Sequence, residues 1–110
     1  MRGQEGEALV AQALIDAGWS VLSRNWRGAG GELDIVAAKN ERLRFVEVKT
    51  RAHGDPVGLE SIGPGKQKHL TRAARAWLRA HGDEFQEMAF TVALVEGASI
   101  VWYDDAFDVE

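Results

Sequence analysis

Apolar and other residues alternate with a period of two through Gly31-Glu32-Leu33-Asp34-Ile35-Val36-Ala37-Ala38, and again through Arg42-Leu43-Arg44-Phe45-Val46-Glu47-Val48-Lys49. Branched and aromatic side chains fill both runs, with Lys39-Asn40-Glu41 between them, so the pattern predicts a β-hairpin. With a two-residue loop at Asn40-Glu41, or four residues centred on the same point, paired residue numbers sum to 81. Asp34 then lies opposite Glu47, and Glu32 opposite Lys49. The pleat puts Glu32, Asp34, Val36 and Ala38 on one face with Leu43, Phe45, Glu47 and Lys49. Leu33, Ile35 and Ala37 share the other face with Val46 and Val48. A slip of one residue would send every side chain to the opposite face.

Upstream, Val10, Ala13, Leu14 and Ala17 recur at helical spacing, predicting a helix from Gln4 to Ala17 that stops at Gly18. Trp19 to Trp26 reads as a strand, and Gly28, Gly30 and Gly31 allow a sharp turn into the hairpin. No Gly-Lys-Ser/Thr follows these glycines and they lead into a strand, so they are not read as a phosphate loop. Thr50 to Gly65 holds both prolines and four glycines and reads as a connection able to act as a flap. In the second helix, Leu70, Ala73, Ala74, Trp77 and Leu78 form an apolar stripe, and Lys68, Arg72, Arg75 and Arg79 fall on another face. Met88–Val95 and Ser99–Tyr103 read as two further strands joined by a turn. The order is helix, three strands, helix, two strands: an α/β sandwich with a mixed central sheet, its third and fourth strands parallel.

Composition narrows the chemistry. A chain of 110 residues suits a single domain, able to bury roughly 65% of its unfolded surface without a metal or disulfide staple. The absence of cysteine excludes disulfides, thiol catalysis and Cys-bound zinc. No run is apolar enough to span a membrane and Met1–Glu7 lacks a signal-peptide core, so the expectation is a cytoplasmic protein without a membrane partner. The net charge of −4 hides an uneven distribution: residues 83–110 contain eight acids and no Lys or Arg, leaving residues 1–82 at +4.

Two carboxylates facing across a strand pair repel unless a cation sits between them or one keeps its proton. Oxygen donors at that spacing, without cysteine, suit a hard ion such as Mg2+ better than zinc. Glu-x-Lys on a strand also serves as an ordinary solvated charge pair; Asp34 on the neighbouring strand is what favours a site. Glu7 has two roles open to it, balancing the dipole in the first helical turn or leaning over the sheet toward the acids. His53 in the connection is a candidate ligand or proton carrier, or a solvated loop histidine. Arg24 and Arg27 lie at the charged end of the sheet, as phosphate contacts or solvated side chains. The single-sign stripe from Lys66 to Arg79 suggests phosphate contact, with docking on the acidic tail as the alternative.

Asp34 followed by Glu47-Val48-Lys49 resembles the PD-(D/E)xK nuclease superfamily. Gly6-Glu7-Ala8, Arg24-Asn25-Trp26-Arg27, Gly31–Val36, Phe45–Arg51, Lys66-Gln67 and Asp105-Ala106-Phe107 together resemble the YraN-like family of endonuclease-like proteins, across essentially the whole chain. The pattern is also similar to archaeal Holliday junction resolvases. Two positions depart: Ala89-Phe90-Thr91 stands where the family usually has Arg-Phe-Asp, and no proline precedes Asp34.

The resemblance implies a restriction-endonuclease-like fold in αβββαββ order and hydrolysis of DNA phosphodiesters, with branched or structured DNA among the substrates. It implies Mg2+ or Mn2+ held by Asp34, Glu47 and the Val48 carbonyl, with Lys49 aligning the attacking water. Glu7 would assist through a bound water or second ion, and Gln67 would orient these groups. Lys66, Lys68, Arg72, Arg75, Arg79, Arg51, Arg24 and Arg27 would grip the DNA backbone. Related resolvases act as homodimers, for which the Trp102-Tyr103 end offers a contact; internal packing of a fifth strand accounts for it equally. The alternative function is a catalytically weak or inactive nucleic-acid-binding module that recruits DNA or a processing partner.

Overall fold

The computed structural model describes residues 3–51, 63–82, 84–104 and 106. Its elements are α1 (Gly3–Asp16), β1 (Ser20–Gly28), β2 (Gly31–Lys39), β3 (Arg42–Thr50), α2 (Pro64–His81), β4 (Glu87–Glu96) and β5 (Ser99–Tyr103). The strands form one mixed sheet in the order β1-β2-β3-β4-β5. β3 and β4 are parallel, as the intervening helix requires, and the other neighbours are antiparallel. This is the expected αβββαββ order. α2 begins earlier than the connection reading allowed, because Pro64 occupies the first turn, where its missing N–H has no helical partner to lose.

A helix covers each face of the sheet. Leu70, Ala73, Ala74 and Trp77 of α2 pack against Val36, Leu43, Phe45, Phe90 and Val92. Val10, Ala11 and Leu14 of α1 pack against Ile35, Ala37, Val46, Ala93 and Val95 on the opposite face. Trp77 is 1% exposed, meets Phe45 edge-on, and donates from Nε1 to Ser23 Oγ at 2.9 Å, so its one polar atom is satisfied where it is buried.

The hairpin register is the expected one for five pairs, from Lys39↔Arg42 to Ile35↔Val46, with Asn40 in the left-handed region at φ 56°. There the β2–β3 ladder stops. β2 continues along β1 to Gly28↔Gly31, while β3 continues along β4 to Thr50↔Val95, so the sheet forks. Three expectations are corrected by the fork. Asp34 and Glu47 are not ladder partners, and only their side chains come together. Glu32 does not face Lys49; it accepts instead from Arg27 Nε at 3.1 Å. Leu33 does not share a face with Ile35 and Ala37, because it packs with Val36 on the α2 side. The alternation changes phase at Asp34, opposite which Asn25 adopts a left-handed φ of 51°.

Candidate functional site

At the fork, Asp34 has lost a ladder partner and its side chain takes over. Asp34 Oδ2 accepts from the Val48 backbone N–H at 2.8 Å, bridging the two strands just past the last paired residues. This holds the Asp34 carboxyl beside Glu47, which hydrogen-bonds to it. Glu47 is 6% exposed. Burial first, then the Asp34 charge and the shared hydrogen bond, push its pKa up to about 8, against the opposing pull of Lys66 and Lys49. That direction favours the protonated form of Glu47, one of the two ways in which facing carboxylates coexist.

Glu7 joins from the other helix. Because α1 starts at Gly3, Glu5 occupies the first turn and Glu7 lies beyond it, buried at 8% exposure. The dipole role therefore falls to Glu5. Burial and the Asp34 charge raise the Glu7 pKa, and Arg24 partly offsets them. With its amide nitrogen turned toward Glu7, Asn25 donates to the two carboxylate oxygens at 2.8 and 3.2 Å. The left-handed Asn25 backbone thus serves a buried acid, a role not anticipated from the sequence; a polar residue tolerant of positive φ inside a strand was the available signal.

Over the α2 side of the fork lies a cleft of about 700 Å3 lined by Asp34, Glu47, Glu32, Arg27, Lys66 and His69, among others. Its wall depends on Gly31, where a Cβ would stand 2.6 Å from the His69 carbonyl oxygen. Only a glycine lets α2 seat this closely on the β1–β2 turn. Lys66 Nζ reaches Glu47 Oε1 at 3.7 Å from the first turn of α2, and half-buried Gln67 follows it. Half-buried Lys49 follows Glu47 along β3. His69, one turn after Lys66, was not singled out from the sequence; its spacing from Lys66 was the only cue.

The expected phosphate contacts separate into three groups. Lys66 and Arg27 line the cleft, the latter paired with Glu32. Arg24 lies near Glu7, and Arg51 Nε donates to Glu96 at 2.8 Å, so both already face acids. Lys68, Arg72, Arg75 and Arg79 are all exposed on α2, opposite its buried stripe. Among the described residues, Glu87 pairs with Arg42 and Arg44 and Glu96 with Arg51, so these acids of the C-terminal part do not cover the stripe. His53 and most of the expected flap lie outside the described residues, as do Asp105 and Phe107.

The donors fit a hard cation in kind: two carboxyls held together against their repulsion, oxygen atoms only, in an open cleft. Among the described residues no three His, Cys, Asp or Glu side chains form a metal cage. Asp34 and Glu47 with the Val48 carbonyl would leave the remaining coordination positions to water or substrate.

Fold and site together define a mixed α/β protein whose sheet forks around a coupled acid pair. Residues 6–109 match the uncharacterised protein family UPF0102, and the chain belongs to that family. The YraN-like resemblance is borne out. A UPF0102 protein of Synechococcus sp. (strain JA-3-3Ab) is 49% identical over 98 residues, covering 86% of this chain and 74% of that protein. One from Streptomyces griseus subsp. griseus is 46% identical over 81 residues, covering 73% and 68%. One from Stutzerimonas stutzeri (strain A1501) is 38% identical over 113 residues, covering 96% and 93%. Among the described residues, no helix is long and apolar enough to cross a membrane.

Proposed function

We propose that the protein is a Mg2+- or Mn2+-dependent nuclease that hydrolyses DNA phosphodiester bonds at the fork between β2 and β3. The observation that carries this reading is the Asp34–Glu47 pair, two acids brought into hydrogen-bond contact and facing a basic-walled cleft. A divalent ion held there supplies Lewis-acid polarisation of the phosphodiester and charge neutralisation in the transition state. Lys49, carried on the strand next to Glu47, is positioned to align a water and a phosphate oxygen. Lys66 and Arg27 offer cations to the phosphate on the cleft wall. Gln67 and Glu7 orient the groups around the acids. Hydrolysis adds water across the P–O bond, the hydroxyl going to phosphorus and the proton ending on the departing sugar oxygen. The exposed α2 stripe contributes sequence-independent backbone contacts, and branched DNA belongs in the substrate class to be examined.

The test is cleavage of supercoiled plasmid and of a four-way junction in Mn2+ or Mg2+, comparing wild type with Glu47→Ala. The expected loss is about a hundredfold or more. Metal and DNA binding without cleavage by the wild type would replace the nuclease reading with that of a recruiting module. Cleavage that survives in Glu47→Ala would remove the acid pair from the chemistry.

A further inference from the structure

On the opposite face of the sheet, beneath α1, a second cavity of about 470 Å3 shares no lining residue with the acid cleft. Its walls include Leu14, Trp19, Arg42, Arg44, Trp102 and Asp104. Arg44 is the unusual member, because its side chain is only 5% exposed. Among the described residues its guanidinium donates to the Leu43 carbonyl at 3.1 Å and to Glu87 Oε1 at 2.6 Å. A guanidinium has five N–H donors, and these two bonds do not use them all in a residue that lines the cavity. Arg42 pairs with the same Glu87, at 3.4 Å, so two cations share one carboxylate.

The aromatic walls are not equivalent. Trp19 already carries Arg42 and Arg44 over its ring, at 5.6 and 5.7 Å from the centroid. Trp102, on β5, is 37% exposed and is in contact with no aromatic ring or cation among the described residues. Two guanidinium cations sharing the one Glu87 carboxylate leave an excess of positive charge at this wall, which favours an anion, and the exposed indole of Trp102 offers a face to a flat ring. Asp104, which accepts from Thr91 Oγ1 at 3.2 Å, adds an acceptor suited to an amino or sugar hydroxyl group. A nucleotide combines all three features.

We infer that the cavity beneath α1 binds a nucleoside monophosphate, with its base against Trp102, its phosphate on Arg42 and Arg44, and a donor edge on Asp104. Two sources share this chemistry, a free nucleotide and the phosphorylated end of a DNA strand. The inference stands apart from the acid pair, and its test is run in chelator, where cleavage does not intervene.

Wild type, Arg42→Ala, Trp102→Ala and Glu47→Gln are titrated by calorimetry with dAMP, deoxyadenosine, inorganic phosphate and a short 5′-phosphorylated single strand. Arg42 and Trp102 are both partly exposed, and circular dichroism verifies that each variant is folded. The expected result is saturable binding of dAMP, of the strand end, or of both. That binding is at least tenfold weaker in Arg42→Ala and in Trp102→Ala and unchanged in Glu47→Gln. Strand-end binding alone assigns the DNA terminus, and equal binding of dAMP assigns the free nucleotide; either supports the site. Absence of binding by the wild type, binding unaltered in both cavity variants, or phosphate binding as tight as dAMP would overturn it.

Discussion

Among the described residues, Glu47 is the group from which a pH dependence of stability is expected most clearly. Its folded-state pKa, pushed up to about 8, lies above the unfolded value of 4.5. Below that unfolded value both states hold the proton and the carboxyl contributes its full stability. As pH rises toward 8 the unfolded chain gives up the proton while the folded chain is held to it, so that contribution is progressively lost. In chelator, Glu47→Gln keeps a donor to Asp34 without the ionisation. The variant is expected to melt above wild type at pH 8 by about 4–8 °C, the shift that ~1 kcal/mol gives in a domain of this size. Near pH 4 the two should nearly coincide. A difference independent of pH would mean the Glu47 carboxyl is not held protonated. Which residues meet was legible from period-two patterning, since it placed Asp34 against Glu47. Whether a proton or a cation joins them is not legible there, because it depends on how deeply the pair is buried, and burial is a property of the packed sheet.

At the scale of elements, the β1–β2 turn sets where α2 lies, and Gly31 sets how close. Gly31→Ala places a Cβ against the His69 carbonyl and moves the helix or the turn. A loss of about 1–3 kcal/mol in urea unfolding is expected, the usual cost of overpacking. The mutation should also weaken Mn2+ binding, because Gly31 lines the same cleft as Asp34 and Glu47 and begins the strand that carries Asp34. Destabilisation with undiminished metal affinity would show that the α2 position does not govern the site. Both helices and all five strands follow from spacing in the sequence. The fork does not, because the strand pattern of Glu32-Leu33-Asp34 continues past the point where the ladder ends. The ladder yields where Asp34 takes the Val48 N–H and Asn25 turns left-handed, a local exchange of hydrogen bonds that periodicity does not encode. Glu7 was ambiguous for a similar reason: starting the helix one residue earlier, at Gly3 instead of Gln4, moves it from the first turn to the buried face.

For the whole molecule, charge is divided by surface. Acids gather at the fork, while Lys68, Arg72, Arg75 and Arg79 form an exposed stripe on the outer side of α2. Reversing Arg72 and Arg75 together to Glu should weaken DNA binding and lower the slope of log affinity against log salt by about one for each phosphate no longer neutralised. Mn2+ affinity should stay as in wild type, because neither arginine lines the acid cleft. An unchanged salt slope would detach the stripe from nucleic acid. The sequence disclosed the stripe through its spacing, and the structure adds that it faces away from the acids. At the cleft itself the cations are Lys66 and Arg27.

The central claim, that Asp34 and Glu47 hold a divalent ion in place of their shared proton, is tested most directly by calorimetric titration of Mn2+ at pH 7 in two buffers of different ionisation enthalpy. The prediction is saturable binding that releases about one proton per ion and is abolished in Glu47→Gln. No binding by the wild type, or equal binding without proton release in both proteins, would contradict it.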